Sequence, residues 1–166
     1  MLIMSTQIEE IRGIPKAIHR GEDEMPFVPL SPGVAVQLMQ VDIDLGFWAV
    51  RTKFDAGTTV QRHRHTGTVY AYTTSGAWRY LEYPEVNTAG SYLYEPAGSI
   101  HTLHALSENE DQTDVFFAIY GANLNLDEDG NISSILDAGG ILKLYYRECE
   151  KAKLPRPNVI GDKRTS

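Results

Sequence analysis

The stretch QRHRHTGTVYAY at residues 61–72 places His63 and His65 one residue apart in a run of β-forming residues. In a strand, residues i and i+2 project from the same face, so the two imidazoles lie side by side. Two neutral imidazoles so placed form two corners of a metal site. A third ligand must come from elsewhere in the chain. Of the five histidines, His19, His63, His65, His101 and His104, four fall between positions 63 and 104. His101 is the best third candidate, because it follows the tight turn EPAGSI. His104 has the opposite strand parity to His101 and joins it only where the strand bends. A lone strand histidine is ordinarily a surface or hydrogen-bonded residue, so the pair needs support from its surroundings. Arg62 and Arg64 alternate with the histidines and should point away from them, so RHRH is no nucleic-acid patch.

The elements that must position these residues read as short strands. Candidates between 33 and 135 are VAVQLMQVD, FWAVRTKF, TTVQRHRH, TVYAYTTS, AWRYLEY, SYLYEP, IHTLHAL, DVFFAIYG and ISSIL. DAGT, SGA, PEVNTAG, PAGS, SENED and DEDGN punctuate them as turns. Many short strands broken by Gly, Pro, Asn and Asp argue for a mainly β sandwich or barrel. DEDG at 127–130 is too short for a calcium loop and reads as the hairpin turn between NLNL and ISSIL. Ile141, Leu142, Leu144 and Tyr145 interleave with Lys and Glu at helical spacing, which predicts one helix over about 138–153, ending before Pro155. The expected organisation is a single domain: an N-terminal arm at 1–32, a β-barrel at 33–136, and a C-terminal helix and tail at 137–166.

Bulk composition removes several function classes. The chain has 166 residues and a net charge of −7, from 15 Lys+Arg against 22 Asp+Glu, with no basic stripe. Nucleic acid and anionic membranes are therefore not expected partners. A single cysteine, Cys149, excludes an intramolecular disulfide and a cysteine zinc cluster, and fits a reducing compartment. The opening MLIMSTQIEEIRGIP lacks a basic n-region and a long apolar run, so a cytoplasmic location is expected. Asn131-Ile132-Ser133 matches a glycosylation sequon and is read as chance in that context.

The glycine spacing then carries a family resemblance. Gly57, five residues, His63-x-His65 and then Gly76 resemble the first motif of the cupin superfamily, except at its acidic position. Gly90, five residues, Pro96-x-Gly98, two residues and His101 resemble the second, with Ala105 in place of its final Asn. Gly90 and Gly98 suit positive-φ turns at barrel corners, and Pro96 sets the turn that presents His101. The resemblance implies a cupin-type double-stranded β-helix, or jelly-roll barrel, with metal held by His63, His65 and His101 and a homodimer as the common assembly. HRHTGTVYAYTTSGAWRYLEY followed by GSYLYEPAGSIHTL is similar to the 2,4'-dihydroxyacetophenone dioxygenase group, and more loosely to acetylacetone-cleaving dioxygenases. This implies a mononuclear non-haem Fe(II) centre, with Zn(II) or Ni(II) as alternatives. On it a small hydroxyketone or diketone, aromatic by the same resemblance, chelates as an enolate. O2 then attacks and the carbon–carbon bond beside the carbonyl breaks.

One departure from the cupin pattern is informative. After three or four intervening residues beyond the second histidine, where the usual motif carries a glutamate, stand Val69 and Tyr70. Three neutral imidazoles leave the metal's double charge uncompensated, which favours an anionic bidentate ligand. Such a set suits Fe(II), Zn(II), Ni(II) or Cu(II), whereas Mg or Ca would want oxygen ligands. A carboxylate can still enter from outside the motif. Glu82 in WRYLEY is the first candidate, as fourth ligand or as base for the substrate's acidic proton; its competing reading is a solvated edge residue or a salt bridge to Arg79 or Arg62. For Glu95 the solvated reading is preferred. Tyr70, Tyr72, Tyr80, Tyr83, Tyr92 and Tyr94 are expected to build the core and rims, with Tyr80 or Tyr92 lining the pocket. The competing functions are a non-catalytic metal- or small-molecule-binding cupin of the sensor type, and a metal-assisted isomerase, hydrolase or decarboxylase on the same scaffold.

Overall fold

Burial alternates residue by residue along strands such as 63–65 and 69–74, and that alternation gives a sheet an inner and an outer face. The computed structural model describes residues 16–163; the first fifteen residues of the expected N-terminal arm lie outside them. The chain forms β1 (Val28–Ser31), β2 (Val34–Asp42), β3 (Phe47–Phe54), β4 (His63–His65) and β5 (Val69–Ser75). It continues through β6 (Ala77–Tyr80), β7 (Asn87–Thr88), β8 (Tyr92–Glu95), β9 (Ile100–His101) and β10 (Leu103–Ala105). It closes with β11 (Thr113–Tyr120), β12 (Asn123–Leu126), β13 (Ile132–Leu136) and α1 (Ala138–Lys151). The large sheet has the order β1-β2-β3-β11-β5-β8, and two smaller sheets run β13-β12-β4-β9 and β10-β6-β7. All the pairings are antiparallel. The sheets share one apolar cluster that includes Leu38, Trp48, Val69, Trp78, Leu103 and Phe117. This is the expected mainly β jelly-roll barrel.

Local differences from the sequence reading have physical causes. IHTLHAL is two short strands rather than one, because β9 pairs with β4 while β10 pairs with β6 in another sheet. TTVQRHRH is strand only at its end, and Thr59 makes an isolated bridge to His104. Residues 28–31, read as part of the arm, are an edge strand on β2. NLNL and ISSIL do form the expected hairpin as β12 and β13. The helix starts where predicted and ends at Lys151; the Asp137 carboxylate caps it by accepting from the Gly140 N–H at 2.7 Å. Its Ile141, Leu142 and Tyr145 face the core, and the Tyr145 hydroxyl donates to the Pro26 carbonyl at 2.7 Å. Among the described residues, no helix is long and apolar enough to cross a membrane.

Most of the tyrosines do not build the core as expected. Tyr70, Tyr72, Tyr92 and Tyr94 are exposed and pair as Tyr70↔Tyr94 and Tyr72↔Tyr92 across β5 and β8. They lie on the outer face of the large sheet, where amphipathic aromatics can stand partly exposed. Their strand partners Val69, Ala71 and Thr73 take the inner face instead.

The β5–β6 turn shows how tightly the hairpin is set. Gly76 has φ +74°, and a Cβ there would lie 2.6 Å from the Thr113 Cα. Backbone cannot yield as a flexible side chain can, so Gly76→Ala should cost about 2 kcal/mol or more in denaturant unfolding. A loss under about 0.5 kcal/mol at unchanged m-value would show that the turn relaxes freely.

Candidate metal centre

β4 runs between β9 and β12, and its register assembles the histidines. His63 pairs directly with His101 on one side, while on the other His65 pairs with Asn123. His63 and His65 are buried and Arg64 between them is exposed, as alternation requires. The turn after β8 is tied to the same strand: the Gly98 N–H donates to the His65 carbonyl at 2.7 Å, and the His65 N–H donates to the Ser99 carbonyl at 3.1 Å. Gly98 takes φ +87°, a conformation that glycine adopts without strain. The three imidazoles therefore converge, with one potential ligand atom from each lying within 4.8 Å of the others. His63 Nδ1 contacts the Gln61 carbonyl at 2.9 Å. A carbonyl only accepts, so Nδ1 carries the hydrogen and Nε2 keeps its lone pair for the centre.

A buried carboxylate, that of Glu95, lies against the three imidazoles. Its side chain is 3% exposed, and Oε2 lies 2.9 Å from His65 Nε2 and 3.2 Å from His101 Nε2. Yet Glu95 Oε2 and His101 Nε2 are buried atoms that make no hydrogen bond of sound geometry. The other oxygen, Oε1, accepts a short hydrogen bond from the Tyr80 hydroxyl. Tyr80 also stacks on His101, with ring centroids 3.8 Å apart and planes 18° from parallel. One tyrosine thus holds both the carboxylate and an imidazole.

The electrostatics suit metal binding. Burial pushes His63 down to about 4, the charges of His65 and His101 push the same way, and the Gln61 carbonyl opposes them. Burial alone would raise the Glu95 carboxyl, but the His101 and His65 imidazoles close against it hold it well below the usual carboxylate range. Burial, then the Glu95 charge, raises the Tyr80 phenol, which stays a donor at neutral pH. Three nitrogens and one carboxylate oxygen fit Fe(II), Zn(II) or Ni(II), and are too poor in oxygen for Mg or Ca.

The remaining candidates fall outside the cluster. Glu82 is exposed, and its two oxygens accept from the Thr102 N–H and the Thr102 hydroxyl, each at 2.8 Å. It braces the bend between β9 and β10 beside His101, while the carboxylate among the imidazoles is Glu95. His104 Nδ1 bonds to the Thr59 hydroxyl at 2.8 Å instead. Tyr80 lines the site; Tyr92, 64% exposed, does not. The sequence did carry a signal for Glu95. In SYLYEP, Leu93 and Glu95 share one face and Tyr92 and Tyr94 the other, so placing the tyrosines outward turns Glu95 inward.

A cavity of about 100 Å³ adjoins His63, His65, Tyr80 and Glu95. Apart from those groups its walls are mostly apolar, with Val36, Trp48, Val50, Phe54, Leu103 and Phe117 among them.

Two outcomes are expected. Glu95→Gln should weaken metal binding about 10–100-fold in a chelator competition, whereas Glu82→Gln should leave it within about 3-fold. Equal losses would remove Glu95 from the ligand set. In the metal-free protein, the unfolded chain binds a proton on His63 near pH 6.5 and the folded chain only near 4. The stability this residue permits is therefore full above pH 6.5 and lost on acidification to about 4, on the order of 3 kcal/mol in all. His63→Leu should flatten the stability–pH slope across that window, measured by urea unfolding.

Comparison with known proteins supports the same scaffold. A cupin-like protein of unknown function from Ralstonia eutropha JMP134 is 36% identical, with a TM-score of 0.75 over 82% of this chain and 91% of its own. An RmlC-like cupin from the same organism is 29% identical, with a TM-score of 0.81 over 89% of this chain and 95% of its own. An acetylacetone dioxygenase from Acinetobacter johnsonii shares the fold at 14% identity, with a TM-score of 0.71 over 86% of this chain and 98% of its own. No curated protein matches the sequence. The description of the ChrR cupin-like domain matches residues 16–121, and the chain belongs to that family of cupins.

Proposed function

We propose that this protein is a mononuclear metal-dependent dioxygenase that cleaves the carbon–carbon bond beside a carbonyl in a small hydroxyketone or diketone bound as an enolate. The carrying observation is the buried group of three imidazoles and one carboxylate at the edge of an apolar cavity. When bound, Fe(II) supplies a Lewis acid for the enolate and the one-electron couple that O2 requires. Glu95 offsets one of the metal's two charges, and the charge left over suits a monoanionic chelate. Glu95, close against His65 and His101, serves as a ligand in this reading. Tyr80 keeps Glu95 Oε1 occupied and leaves Oε2 for the centre. The apolar walls exclude water and strengthen these interactions. For an α-hydroxyketone R–CO–CH2OH, O2 addition with cleavage gives R–COOH and formic acid, all atoms retained.

The cavity also limits substrate size. At about 100 Å³ it is smaller than the roughly 150 Å³ that admits benzene. A short alkyl arm suits that space, and an aromatic ring is left to the cavity of about 210 Å³ on the other side, lined by Tyr80, Glu95 and His101. The same barrel in the Acinetobacter acetylacetone dioxygenase is a likeness of fold and agrees with this reading.

A second reading, a non-catalytic metal-binding cupin, is supported by the ChrR name of the family, which a solved Rhodobacter sphaeroides protein carries as an anti-sigma factor. Oxygen-electrode measurements on anaerobically Fe(II)-loaded protein separate the two. Acetylacetone or a small α-hydroxyketone should draw one O2 per substrate, and dibenzoylmethane, with two aryl arms, essentially none. Tight stoichiometric Zn(II) with no O2 uptake from the Fe(II) form on any ketone would select the binding module. Activity without O2 on a redox-inactive metal would select another reaction class.

A further inference from the structure

We infer that Asn123 is the specificity-determining residue of this cavity: its amide oxygen accepts a hydrogen bond from a ligand hydroxyl, which favours α-hydroxyketones over diketones. The inference rests on the reading that an enolisable ketone binds beside the three histidines.

Asn123 opens β12 directly opposite His65 and lines the cavity with it. Cross-strand partners share a sheet face, so its amide stands beside the metal-facing imidazole. Its Oδ1 is buried and has no hydrogen-bond partner. Buried side-chain acceptors are nearly always satisfied, so an orphan in a ligand-sized space marks a place where a ligand donor fits. Asn125, two residues along and opposite His63, shows the contrast: its Nδ2 donates to the Ser134 hydroxyl at 3.0 Å. Nor can the strand slide to relieve Asn123. The preceding residue is pinned both ways, since the Ala122 N–H donates to the Thr66 hydroxyl at 2.8 Å and the Thr66 N–H donates to the Ala122 carbonyl at 3.0 Å. Around the amide, Ile119, Leu136 and Val60 line the same cavity and offer no side-chain donor.

The two ketone classes differ in what they present to such an acceptor. A diketonate has lost its acidic proton and carries two oxygens with no O–H. An α-hydroxyketone, neutral or as the monoanion of its enediol, keeps one O–H next to the chelating oxygen. That hydrogen can reach an acceptor beside His65 while both ligand oxygens face the centre.

The test uses Zn(II)-loaded protein, which binds ligand without O2 chemistry, and isothermal titration with hydroxyacetone and with acetylacetone. Asn123→Leu should weaken hydroxyacetone about 10-fold or more and leave acetylacetone within about 2-fold. Zinc content should be unchanged, and the Tm of the metal-free protein should not fall, because no internal hydrogen bond is lost. Asn123→Ala, which adds no bulk, is measured in parallel and should show the same selectivity. Equal losses for both ligands, a loss confined to acetylacetone, no change, a lowered Tm with lost zinc, or no binding of either ligand to the unmutated protein would each overturn the assignment. Absence of O2 uptake by the Fe(II) form would sink the dioxygenase reading and leave this comparison standing.

Discussion

Four polar side chains, His63, His65, Glu95 and His101, are packed into a barrel wall with exposures of 7%, 3%, 3% and 1%. Burying such groups costs several kcal/mol each unless they are paired or coordinate an ion. Much of the local structure serves that constraint. Backbone hydrogen bonds lace the turn after β8 to β4, so ligands from two segments keep one geometry. Tyr80 fixes Glu95 through a hydrogen bond and His101 through stacking. Glu82, through Thr102, braces the bend that follows His101. So many independent contacts hold the cluster in one geometry within the folded chain.

The carboxylate changes the chemistry open to the site. Three imidazoles alone would leave a doubly charged ion for the substrate to neutralise. With Glu95 against the imidazoles, an ion held there would meet one negative charge from the protein.

The outer face of the large sheet follows a different logic from its inner face. Paired tyrosines on β5 and β8 occupy that outer face and stay 39–64% exposed. Because the tyrosines occupy that side, the inner positions of β5 carry small or branched residues, Val69, Ala71 and Thr73. These leave room across the barrel for Trp78, whose indole donates to the Thr73 hydroxyl at 2.9 Å. The aromatic content of this stretch is a surface feature more than a core one.

The sequence by itself determined what depends on neighbours along the chain. Strand parity put His63 and His65 on one face with Arg64 opposite, and the Gly90–His101 spacing announced a turn that presents a third imidazole. Helical spacing predicted α1 to within two residues of its end, and turn chemistry predicted the β12–β13 hairpin. Only the tertiary structure decided the rest, because it depends on which face of a strand is inside and which strand lies beside it. An alternating segment such as SYLYEP is consistent with either face inward, and pairing of Val69 with Glu95 in the large sheet made the choice. That choice turned the tyrosines out, brought Glu95 rather than Glu82 to the histidines, and filled the gap that the missing motif glutamate had left. Asn123 is the same kind of case: nothing near it in sequence marks it, and the β12–β4 register alone sets its amide beside His65.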